Sequence, residues 1–208
     1  YAYFDAAADG DDPLKRDTLE LWRQTWKTNG WIPEVVSRAD AARHPLYKKI
    51  VDKFDDPELG DFAHHFLRWL AVAVKGGGYM TQYFVMNVNH EAPSSTTPKV
   101  GCSELPNKGR LTAYEYPHVP SVVSGASSEF EKAVDYFASR LVDLRAPAYE
   151  YYTGASSGVN VVRQVRGGGG GGGGGDGGGR SFTDAVVLGE MVKSGLAEFR
   201  DGSVFRSL

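Results

Sequence analysis

The stretch "KGGGYMTQYFVMNVN", residues 75–89, decides how this chain folds. Ahead of it, Phe62, Phe66, Leu70 and Val74 recur every four residues, and Leu67 and Ala73 widen the same apolar face. That spacing predicts an amphipathic helix over 61–75. Gly76, Gly77 and Gly78 then stop it, because glycine accepts the left-handed backbone that a helix exit needs. The aromatic run behind them predicts a buried strand over 79–88. With the flanking segments, strands and helices alternate at the start of the chain and strands cluster in its middle, a pattern that favours an α/β sandwich with a mixed sheet.

The flanks extend the pattern. "YAYFD" at the start reads as a strand over 1–4, expected to neighbour 79–88 in the centre of the sheet. Asp12 and Pro13 mark a helix start, and Leu19, Trp22 and Trp26 form its apolar stripe up to Asn29 and Gly30. "WIPEVV" is strand-like, but Pro33 suits an edge better than a centre. Short helices follow over 39–43 and 46–54, on either side of Pro45. After a loop at "HEAPSSTTPK", "GRLTAYEY" and "PSVVSG" predict two more strands. Ser127 or Ser128 is expected to cap a helix whose core side carries Phe130, Val134, Phe137 and Leu141. "VNVVRQV" predicts a late strand and 183–192 a last helix, with Asp184 complementing its dipole. The expectation is one α/β domain over 1–208, a sandwich around a mixed, mostly parallel sheet. Residues 167–179 are glycine except for Asp176. Such a tract is either a flexible surface loop or a run in which glycine stands as a placeholder. It lacks the Lys-Ser/Thr and following helix of a phosphate-binding loop.

Composition removes several functions. A net charge of −3 argues against a nucleic-acid binder. The longest apolar run, "FLRWLAVAV", contains an arginine and is too short to span a bilayer. The opening residues lack the basic start and long apolar core of a signal peptide, which by itself fixes no compartment. Cys102 is alone, so neither an intrachain disulfide nor a cysteine zinc site is open to the chain. His64 and His65 are adjacent on a helix and diverge by ~100°, an arrangement that suits a surface or core role better than a shared ion.

Three segments carry a family resemblance: "LELWRQTWKTNGWIPEVVSRADAARHPLYKKIVDKF", "FLRWLAVAVKGGGYMTQYFVMNV" and "KGRLTAYEYPHVPSVVSGASSEFEKAV". Together they resemble a group of glycosyltransferases with an Asp-x-Asp motif, related to initiating mannosyltransferases and, more distantly, to bacterial glucosylating toxins. The resemblance implies the nucleotide-diphospho-sugar transferase (GT-A) sandwich and a donor site at the carboxyl edge of its sheet. There a divalent cation held by carboxylates neutralises the departing diphosphate. The motif aligns with Gln82, Tyr83 and Phe84, so neither former ligand position holds a carboxylate. Donor binding is implied for Arg68, Gly77, Gly78, Gln82 and Phe84. His65 stands where more distant relatives contact the sugar. Arg68 reads equally as the partner of an acidic side chain. Glu115 and His118 match family positions and are the weak candidates for acid–base work, with turn architecture as the competing reading.

Two functional readings follow. In the first, the chain is a degenerate, non-catalytic member with no cofactor, a binding or structural subunit with protein partners in a larger assembly. In the second, it is an active glycosyltransferase that takes a nucleotide sugar at a metal-independent or relocated site, with Mn²⁺ or Mg²⁺ entering only on that reading. The resemblance implies a secretory-pathway lumen; an organellar assembly is the other location consistent with the first reading. Gln82 and Phe84 are expected to share one strand face, with the Phe84 ring buried where a cation would sit.

Overall fold

The computed structural model describes residues 1–6, 12–54, 63–87, 105–114, 121–141, 149–153, 160–164 and 184–199. Strand β1 (Ala2–Tyr3) opens the chain, and helix α1 (Pro13–Thr28) follows. Its Asp12 cap accepts the Leu14 N–H at 2.9 Å, and Pro13 occupies the first turn, where no N–H is needed. α1 ends at Asn29, with Gly30 left-handed at φ 84°. Next come β2 (Val35–Val36), α2 (Arg38–Ala41), opened by a Ser37–Asp40 capping box, and α3 (Tyr47–Val51). α4 (Ala63–Val74) and β3 (Gly77–Thr81) form the central helix–strand pair. A 3₁₀ turn at Pro106–Gly109 precedes β4 (Thr112–Ala113), β5 (Val122–Ala126) and α5 (Ser127–Arg140). β6 (Tyr149–Thr153) and β7 (Asn160–Gln164) pair antiparallel in a ribbon of their own. α6 (Asp184–Lys193) and β8 (Glu198–Phe199) complete the described elements.

The main sheet has six strands in the order β2-β1-β3-β5-β4-β8. β1 pairs parallel with both β2 and β3, through Ala2 opposite Val35 and Thr81, so the two expected central strands are indeed neighbours. β5 runs antiparallel to β3 and β4, and β8 joins β4 in parallel. The sheet is therefore mixed, and β2, with Pro33 just ahead of it, is an edge.

Alternation along the strands sorts the side chains into two layers. Val36, Met80, Ala113 and Val123 join the larger core with α4 and α5. Ala2 faces the other way, into a smaller cluster with Trp22 and Trp26 of α1. α4 lies deep: Phe66 to Ala73 are all buried, because the sheet covers one side and α5 the other. Across that contact Trp69 meets Phe137 edge-to-face at 4.9 Å, and Phe66 meets Phe137 at 5.7 Å. α5 presents Phe130, Val134 and Phe137, with Leu141 just past its end, all essentially buried. Each is worth about 2 kcal/mol of hydrophobic transfer.

Three sequence expectations need correction. The strand expected over 79–88 starts two residues earlier and stops at Thr81. Gly77 and Gly78 are already in register with Ala126 and Gly125. Beyond Thr81 the chain turns, with the Val85 N–H bonded to the Gln82 carbonyl at 3.0 Å. The aromatic run mimicked a strand, yet Tyr83 and Met86 pack instead against the α1 cluster. Ser127 does not cap α5 from outside; it is the first helical residue, and its hydroxyl lies 3.5 Å from the Ala73 carbonyl. Val74 is only half-buried, because it ends the helix beside the glycine exit. The glycine tract 167–179 lies outside the described residues.

Candidate functional site at the carboxyl end of strand β3

α4 passes through Lys75 and Gly76 directly into β3, so helix and strand run antiparallel. The first turns of α4 consequently stand at the end where β1 and β3 finish. That carboxyl edge is where open α/β sheets gather ligands. It carries Asp5 after β1, the turn 82–85 after β3, and His64, His65 and Arg68 from α4.

The turn is held mainly through its backbone. The Gln82 N–H donates to the Ser121 carbonyl at 3.0 Å. Trp26 Nε1 donates to the Val85 carbonyl at 2.9 Å, and Asn29 Nδ2 to the Asn87 carbonyl at 2.7 Å. One residue ahead of the turn, Trp22 Nε1 reaches Thr81 Oγ1 at 2.9 Å. Inside this frame Tyr83 packs edge-on against Phe4, with ring centroids 5.7 Å apart. Phe84 meets Tyr83 at the same separation but is 58 % exposed. The expectation of a buried Phe84 ring sharing a strand face with Gln82 is thus overturned. Both residues sit in a turn, where the two-residue alternation of a strand does not apply.

Arg68 points inward. Its Nε and Nη2 both donate to Asp184 Oδ2, at 2.8 and 2.6 Å, and Trp69 Nε1 donates to the same oxygen at 2.7 Å. Arg68 is 5 % exposed and Asp184 is 0 % exposed, so this is a core ion pair joining α4 to α6. Of the two roles that fit Arg68 from sequence, partnership with an acidic side chain is the one formed here. Asp184 Oδ1 is buried without a hydrogen-bond partner among the described residues. His65 Nδ1 stands 3.6 Å from it, a distance that makes an electrostatic neighbour rather than a hydrogen bond. Burial pushes the His65 imidazole down to about 4; Asp184 opposes this, while His64 and Arg68 add to it. His65 is therefore neutral at pH 7.

Gly77 and Gly78 lie at the opposite end of β3, ~13–16 Å from Gln82 at the rise of an extended chain. They line a separate cleft of about 220 Å³ on the α1 face, beside Trp22, Trp26, Trp31 and Tyr79. Gly77 has a packing reason to be glycine: at φ 79°, an added Cβ would stand 2.5 Å from the Ser127 nitrogen. Glu115 and His118 lie outside the described residues. Among the described residues no group of three or more His, Cys, Asp or Glu could hold a metal ion, and no helix is long and apolar enough to cross a membrane.

Comparison with known proteins adds one match. Residues 1–96 match a family model described as a domain of unknown function (DUF8765). The matched part runs from β1 through α4 and β3 to beyond the turn, and so includes Arg68, Gln82 and Phe84 but not Asp184. No curated protein and no solved structure matches the chain.

Sequence reasoning had not singled out two residues of this edge. Asp5 lies two residues beyond β1 and is 9 % exposed. Its charge helps raise the pKa of Arg38, behind the larger contribution of the Tyr47 hydroxyl, which Arg38 Nε bonds at 2.9 Å. From the sequence, Asp184 is legible as a helix-dipole partner, with no side chain to name as its counter-ion. The signal for both was a carboxylate placed at the end of an apolar or regular element, where solvent alone does not account for it.

Proposed function

We propose that this chain is a glycosyltransferase-like module of GT-A type that keeps the frame of a nucleotide-sugar enzyme without its metal-assisted chemistry. It would serve as a binding or structural subunit of a larger assembly. The observation that carries the reading is the turn after β3, where the positions expected to hold two carboxylates are Gln82 and an exposed Phe84. A phenyl ring offers a hard divalent cation no ligand, and an amide carbonyl offers no charge. The commitment of Arg68 to Asp184 supports the same conclusion, since that guanidinium is engaged away from a diphosphate. An active, metal-independent enzyme would need a different cation in that role.

Isothermal titration of the full chain with Mn²⁺ and a panel of nucleotide sugars tests the proposal. Metal-dependent binding should be absent. Micromolar binding that a chelator abolishes would restore the enzyme. As the complementary arm, Gln82→Asp with Phe84→Asp should create Mn²⁺ binding if the inherited frame is intact, and silence there would count against the glycosyltransferase-like frame itself.

A further inference from the structure

We draw no further inference here: the strongest candidate, the aromatic-walled cleft on the α1 face between residues 31–33 and 77–79, is an apolar groove beside the first residue of the chain, and nothing in the structure shows what covers it.

Discussion

Replacing Asp184 by alanine should be among the most damaging single changes in the described part of the molecule. The carboxylate is fully buried, and one of its oxygens accepts from Arg68 twice and from the Trp69 indole once. Its removal leaves a guanidinium, itself 5 % exposed, without an anion, a loss of about 3–5 kcal/mol. The indole N–H is stranded as well, worth about 1–3 kcal/mol alone. The three donors share a single oxygen, so these losses overlap and a total of about 4–5 kcal/mol is expected. For a chain of this size, roughly 2–4 °C per kcal/mol places the fall in Tm at about 8–20 °C. Urea unfolding at pH 7, followed by tryptophan fluorescence and far-UV circular dichroism, measures the loss directly. The double change Arg68→Met with Asp184→Leu should recover part of it, because two apolar side chains leave no unpaired charge, while the Trp69 indole N–H still lacks its acceptor. The reasoning fails if Asp184→Ala stays within about 1 kcal/mol of the parent. It also fails if the double variant is no better than Asp184→Ala.

Three further outcomes are expected. His65 binds its proton less readily in the folded chain, at about 4 against an ordinary 6.5, so its contribution is complete above pH 6.5 and drains away as pH falls toward 4, up to about 3 kcal/mol in all; denaturation midpoints of the parent and of His65→Gln between pH 7 and 4 should diverge, and parallel curves would refute the assignment. Gly77→Ala should destabilise by about 3–4 kcal/mol, from a left-handed φ plus a 2.5 Å contact with Ser127, whereas Gly76→Ala, left-handed but with open space around it, should lose only about 1–2 kcal/mol. Thermal melts that rank the two equally would remove the packing argument for Gly77. Phe84→Ser, at a largely exposed ring, should shift stability by no more than about 0.5 kcal/mol, and a loss above 2 kcal/mol in chemical denaturation would mean that the ring is covered in solution.

The main helices were legible because local chemistry marks them. Asp12 with Pro13, the Trp22–Trp26 spacing and the glycine exit after Val74 each belong to a single element, readable without knowing its neighbours. β8 was not legible: two residues carry no period, and Glu198–Phe199 becomes a strand only because β4 lies alongside. The end of β3 was misread for a related reason. Aromatic residues satisfy a pleated sheet and a helix-facing turn equally well, and only the position of α1 decides between them. At the site, a lone arginine in an apolar helix demanded an anionic partner. The partner lies 116 residues away, however, and nothing local names it.

The way the turn after β3 is secured has an evolutionary consequence. Its attachments from Trp26, Asn29 and Ser121 end on main-chain atoms, which every residue type but proline supplies. Side chains at 82 and 84 can therefore be exchanged while the loop keeps its path, since the tethers do not depend on what those positions carry. Selection acting on them is uncoupled from selection for folding. Substitutions at the two positions would not need rescue elsewhere, and the scaffold would survive them.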